Sequence, residues 1–254
     1  MSRLRAKCPH CKAYTAVAIG PDYQCHSCGR QWPAGLVRVP RAWGTGGEEM
    51  VEAARLSVDY PETAVVEEDS LEAQTLTVAA ELPDRPLVLG GCCCSHIGAV
   101  EGLAARHEKL ALVWFDAHGD LNTPATSPSG NAWGMPLRMI VDGGAVEPER
   151  VALVGARNLD PPEQEFLQAS GIRDSPAEAT RDVDCVYVAF DLDVLDPADA
   201  RPFMPEPEGV TLEQAEAELR EIAATARIVG AGFSGGTGDP QLVPVVERLA
   251  AALL

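Results

Sequence analysis

From residue 86 onward, short apolar runs alternate with stretches of helical character. Leu87-Val88-Leu89, Leu110–Phe115, Val151–Val154, 185–190 and 228–233 are continuous runs with no polar residue at every second place. Strands buried on both faces read this way, and parallel sheets are built from them. Between them, 95–106, 133–141, 161–170, 211–224 and 241–254 are expected to be helices. Thr211 with Gln214 three residues on forms a capping box for the fourth of these. Ahead of the alternation, 36–40 reads as a short strand and 47–56 as a helix. The acidic, Pro-containing stretch 57–85 shows no element. The pattern predicts an α/β domain with a mainly parallel sheet covered on both faces, and in such sheets ligands bind beyond the carboxyl ends of strands.

At 254 residues the chain suits one large domain, or one domain with a small module. No apolar run approaches a membrane span, and residues 1–20 lack a signal peptide's apolar core, so a cytoplasmic location and no membrane contact are expected. The net charge of −18 argues against nucleic-acid binding. Yet residues 1–41 carry Arg3, Arg5, Lys7, Lys12, Arg30, Arg38 and Arg41 against Asp22 alone. A basic head on an acidic body predicts two modules, 1–35 and 36–254, with the head docked on the body.

Cysteine spacing says what the head is. Cys8-Pro-His-Cys11 and Cys25-His-Ser-Cys28 are two knuckles, each presenting two thiolates to one tetrahedral ion, and Gly29 supplies the left-handed conformation after the second. Without a secretory signal, such pairs read as metal ligands rather than disulfides. The pattern resembles a zinc ribbon with one structural zinc held by Cys8, Cys11, Cys25 and Cys28, a closed site without catalysis.

The body carries the chemistry. Asp116, His118 and Asp120 follow the apolar run that ends in Phe115. On an extended strand end, residues two apart point the same way, so the three side chains converge. Carboxylate oxygens with one imidazole suit Mn, Fe, Co or Zn. A second acidic strand end follows at Asp191 and Asp193, and two such ends point to a two-metal hydrolase site. Asp196-Pro197 reads as a turn.

These pieces, with Gly90-Gly91, Asn122-Thr123-Pro124, Ser129-Gly130-Asn131 and Gly134-Met135-Pro136 between and before them, resemble the arginase/agmatinase (ureohydrolase) family over residues 36–254. The resemblance implies a three-layer α/β/α sandwich, a binuclear manganese site and a homo-oligomer. It implies that Asp116 and Asp191 bridge the metals, that Asp120 binds one ion and accepts a hydrogen bond from a bridging hydroxide, and that His118 and Asp193 bind the other. Asn122 and Ser129 match positions that hold a small polar substrate; ordinary loop structure is the alternative for both.

Three departures from the family pattern shape the expectation. Cys93 stands where the family's first metal ligand is a His. A thiolate ligand shifts preference toward Zn or Fe, while small apolar packing is the alternative. His96, one helical turn on, is a substitute ligand or a proton carrier, and Cys92–Cys94 also reads as a redox-sensitive cluster. Trp133 replaces a proton-shuttling His, and serves either as a wall for a flat substrate or as core packing. Thr237 replaces a guanidinium-pairing Glu, which counts against L-arginine itself, and Asp239 is either a compensating acid or the N-cap of the last helix. The expected activity is metal-dependent hydrolysis of a linear C–N bond in a small guanidino, ureido, formimino or amide compound. The alternative is a catalytically altered relative that binds a metabolite or partner as a regulator.

Overall fold

The computed structural model describes residues 5–254; Arg3 of the basic head lies outside the described residues. Four short strands, β1 (Arg5–Ala6), β2 (Ala16–Ile19), β3 (Asp22–Cys25) and β4 (Gln31–Trp32), form an antiparallel sheet in sequence order. A second sheet begins three residues later, with β5 (Gly35–Val39). It continues with β6 (Glu62–Val65), β7 (Pro86–Gly90), β8 (Leu110–Phe115), β9 (Val151–Val154), β10 (Cys185–Asp191) and β11 (Ile228–Ser234). The order is β6-β5-β7-β11-β10-β8-β9, and every pairing in it is parallel.

Alternate residues of the central strands feed opposite faces. Val113, Phe115, Val188 and Phe190 pack with α7 (Leu212–Thr225) and α8 (Leu242–Leu253) on one side. Leu112, Trp114, Tyr187 and Ala189 pack with α2 (Leu71–Glu81), α3 (Ser95–Ala104) and α4 (Pro136–Asp142) on the other. The result is a three-layer α/β/α sandwich preceded by a small ribbon. Each fully buried aliphatic or aromatic side chain contributes roughly 1.5–3 kcal/mol, which is why unbroken apolar runs survive in these strands. Short helices α1 (Glu48–Ala53), α5 (Pro161–Ser170) and α6 (Pro176–Ala179) complete the connections.

Most expected elements appear within a residue or two. The stretch 57–85 differs, because it holds β6 and α2. β6 is an edge strand, only half-buried and carrying Glu62, so its apolar alternation is weak. α2 starts at Ser70, whose hydroxyl accepts the Ala73 N–H at 3.1 Å. The expected helix over 133–141 is broken: a 3-10 turn, Ala132–Gly134, precedes α4, because Pro136 can only open a helix. The last helix starts at Leu242, so Asp239 does not cap it directly; its carboxylate accepts the Gln241 N–H at 2.9 Å. Asp196 makes the expected turn, accepting the Ala198 N–H at 2.8 Å.

The ribbon shares its core with the body. Tyr23 and Trp32 are buried in the cluster that includes Leu36 and Tyr60. Lys7 exchanges two backbone hydrogen bonds with Glu62, and Glu62 pairs with Arg38 at 2.7 Å. In the knuckles, Cys8 and Cys28 Sγ lie 3.7 Å apart and Cys11 and Cys25 Sγ 3.6 Å apart. All four thiols lie within 4.8 Å of one another and Gly29 has φ +76°. The donor set and its spacing fit one tetrahedral zinc.

Candidate metal centre

Four adjacent strands, β7, β11, β10 and β8, end together at the middle of the sheet. Register places the acids. Phe190 is level with Phe115 and Asp191 with Ser234, so the next residues, Asp116 and Asp191, emerge side by side. β8 ends in a bend that sets Asp120 in the left-handed region at φ +54°. Strain of this kind costs on the order of 1 kcal/mol and persists where surroundings impose it. Here Glu163, buried on α5, accepts the Leu121 N–H at 2.9 Å and the Asp160 N–H at 2.9 Å, tying the bend to the helix.

Two donor sets form. Cys93, Asp116 and Asp120 hold their ligand atoms within 4.8 Å of one another, and so do Asp116, His118 and Asp193. Asp116 belongs to both. Its Oδ2 accepts from Trp114 Nε1 at 3.0 Å and its Oδ1 from the His118 N–H at 2.7 Å. His118 Nδ1 lies 2.9 Å from Asp193 Oδ2, while Nε2 lies 3.4 Å from Glu206 Oε1. Asp191 sits between the sets, accepting the Cys93 thiol at 2.7 Å and the Asp193 N–H at 2.9 Å. The bend after β11 makes room for it: Gly235 has φ +69°, and a Cβ there would collide with the Asp191 carboxylate.

The electrostatics ask for cations. Burial, and then the Asp193 charge, pushes Asp191 up to about 7. Burial and then Asp116 pushes Asp193 up to about 6. Asp120 is held well above the carboxylate range by burial and then by Asp116 and Asp191, and its Oδ2 is buried without a hydrogen-bond partner. Burial opposes a charge on His118, but Asp116 and Asp193 hold it up to about 12. Burial and the three nearby aspartates push the Cys93 thiol well up. Carboxylates so crowded and dry are stabilised in ionised form by metal ions. The orphaned Asp120 oxygen and the shared Asp116 fit two ions, with Cys93, Asp116 and Asp120 on one side and Asp116, His118 and Asp193 on the other, and Asp191 beside both.

A cavity of about 200 Å³ opens over these residues, room for a small molecule. Asn122, Ser129 and Trp133 line it as well. Two expected site residues do not. His96 is fully buried behind Cys93, with Nε2 3.1 Å from Ser234 Oγ and Nδ1 3.0 Å from Tyr187 OH. The start of α3 turns it toward the sheet, and burial lowers it to about 3. Thr237 lies beyond the Gly235 bend, where its hydroxyl accepts the Asp239 N–H at 3.3 Å. Asn158, Asp160, Glu163, Phe203 and Met204 line the cavity without having been anticipated. Asn158–Glu163 follows the end of β9, so the rule that ligands gather at strand ends could have flagged it. Phe203 and Met204 lie in an irregular Pro-rich loop without any pattern.

An α/β/α sandwich whose parallel strands end in two carboxylate-rich donor sets sharing one aspartate defines an α/β protein with a candidate metal centre at its strand ends. The chain belongs to the arginase family: the sequence profile described as Arginase family matches residues 48–234. It is 33% identical to an arginase of Bacillus caldovelox over 67% of this chain and 67% of that one. With an arginase of Bacillus subtilis (strain 168) the identity is 37%, over 50% of this chain and 53% of that one. The native structure of the Bacillus caldovelox arginase superposes with a TM-score of 0.72 at 27% identity, covering 86% of this chain and 97% of the other. The sequence matches thus span from about half to two thirds of these curated relatives.

Proposed function

We propose that this protein is a metal-dependent hydrolase of a linear C–N bond in a small guanidino, ureido, formimino or amide compound. The observation that carries it is the pair of three-donor sets sharing Asp116 at the floor of a small cavity. Two divalent ions bound there would lower the pKa of a shared water and supply hydroxide at neutral pH. Cys93, Asp116 and Asp120 would hold one ion and Asp116, His118 and Asp193 the other, with Asp191 placed to serve both. The Asp120 carboxylate, whose Oδ2 has no hydrogen-bond partner of its own, would bind one ion and accept a hydrogen bond from the shared hydroxide. Trp114, through its bond to Asp116, fixes the shared carboxylate. Manganese is the family's metal, and the Cys93 thiolate moves the preference toward zinc or iron. The ribbon, residues 1–35, carries one zinc and acts by docking; residues 36–254 form the hydrolase domain, a cytoplasmic homo-oligomer by family likeness.

Metal content per chain and release of urea or ammonia test the reading. Two or three ions per chain and turnover that vanishes in Asp120→Ala support it. One ion per chain, held by the ribbon, with no turnover, refutes it and leaves a binding or regulatory role.

A further inference from the structure

We infer that the substrate is a small cation whose guanidine or amidine head is carried on an apolar body without a carboxylate. The inference rests on the hydrolase reading and names its substrate class. Its grounds are the charge of the cavity and the wall that lines it beside the metal donors.

Charge comes first. Six carboxylates line the cavity (Asp116, Asp120, Asp160, Glu163, Asp191 and Asp193), more than the four positive charges two divalent ions bring. No lysine or arginine lines it among the described residues. A cation is attracted into such a site and an anionic tail is repelled.

The buried amide in this part of the cavity is already engaged, and Ser129 bonds within its own loop. Asn122 is buried; its Nδ2 donates to Asp160 Oδ2 at 2.8 Å and its Oδ1 accepts from Thr126 Oγ1 at 2.9 Å. Ser129 Oγ accepts the Asn131 N–H at 3.2 Å and lies 3.4 Å from Ser127 Oγ. The amide that sequence reading offered to a substrate's polar end therefore holds the α5 loop instead.

The wall above the metal donors is apolar and built. Trp133 and Phe203 meet edge to face, with centroids 6.4 Å apart at 80°. Met204 stands beside them, 40% exposed. The indole lies against Gly44 and Gly47, where any Cβ would strike its ring. The same loop is tied to Trp133's own turn by the Ala132 N–H to Trp43 O at 2.8 Å and the Thr45 N–H to Asn131 Oδ1 at 2.9 Å. Phe203 is anchored by its N–H to Gly235 O at 2.8 Å, beside Asp191. Aromatic surface held this firmly offers a substrate stacking area and cation–π attraction at little ordering cost.

For a substituted guanidinium, hydroxide from water adds to the central carbon and the bond to the substituted nitrogen breaks. The leaving nitrogen takes the proton, so guanidinium and water give urea and an ammonium ion. The test uses the purified, metal-containing protein with benzylguanidine, methylguanidine and L-arginine, reading urea release and, by calorimetric titration, affinity. Benzylguanidine is expected to exceed L-arginine at least tenfold in kcat/KM and in affinity. Trp133→Ala and Phe203→Ala should each lower kcat/KM for benzylguanidine about tenfold, and by a clearly larger factor than for methylguanidine. Met204→Ser, at an exposed position, reports in the same direction if the ring variants fail to fold. Preference for L-arginine, or equal losses on methylguanidine, overturns the inference. If no guanidine is turned over, the titration still decides this inference: affinity for benzylguanidine no greater than for L-arginine refutes it, while the hydrolase reading itself fails only if ureido, formimino and amide compounds are also left intact.

Discussion

Arg157 is the residue whose removal should most clearly separate the site's scaffold from its chemistry. Its guanidinium donates to five backbone carbonyls: Pro207 at 2.8 Å, Asp193 at 2.9 Å, Gly155 and Glu206 at 3.1 Å, and Val194 at 3.4 Å. These carbonyls belong to three segments, the end of β9, the turn holding Asp193 and the loop holding Phe203 and Glu206. No carboxylate pairs with it among the described residues, so its role is to gather chain. Replacing it with Ala leaves five carbonyls to find water. A hydrogen bond from a charged donor contributes about 1.5–3 kcal/mol when buried, but Arg157 is half-exposed and water enters, so about 1 kcal/mol apiece is the appropriate scale. Arg157→Ala should therefore cost about 3–5 kcal/mol in urea unfolding. It should also weaken metal retention at Asp193 by about tenfold, the usual cost of losing an outer-shell support. Arg157→Lys keeps the charge without the fork and should recover less than half of the stability. A loss below about 1 kcal/mol, or full rescue by Lys, would refute the assignment of a multidentate clamp.

Three further outcomes follow from the site and the ribbon. Asp191, raised by burial and Asp193 from 3.8 to about 7, keeps its proton longer in the folded than in the unfolded chain. The metal-free protein should thus be most stable below about pH 4 with respect to this group and lose up to about 4 kcal/mol as pH rises through 7. Melting curves in chelator at several pH values should show that slope in wild type and its loss in Asp191→Asn; a flat wild-type profile would count against a desolvated acid cluster. Cys93→His should move the metal found on purification from zinc or iron toward manganese by about tenfold or more, and unchanged metal content would remove Cys93 from the ligand set. Cys25→Ser should lose one zinc per chain and make residues 5–32 sensitive to protease before the body, at a cost of at least about 3 kcal/mol; unaltered zinc content would falsify the ribbon site.

The parts of the fold that sequence reading recovered share a cause. β8, β10 and β11 are buried on both faces, so their apolar runs could not be interrupted without cost, and the runs end where the acids begin. Thr211 with Gln214 and Gly29 carried their conformations locally. β6 and α2 went unseen because an edge strand and a weakly amphipathic helix leave little pattern. Within the site, residues clustered on one strand end were legible as a group. His96 and Thr237 were not placed well, since a helix start and one left-handed glycine decided where they point. Asp160 and Glu163 follow the end of β9 and carried only that positional signal, while Phe203 and Met204 went unnoticed because their relation to the site runs through space alone.

By itself the sequence determined the alternating α/β order, the ribbon's four thiols and the strand-end acids, because each depends on periodicity or spacing within a few residues. Tertiary structure decided that the Cys93 thiol meets the Asp191 carboxylate, that Asn122 is already engaged, and that Trp133 and Phe203 from distant loops form one wall. Those facts depend on strand order, register and burial, which bring together residues tens of positions apart and leave no local trace in the chain.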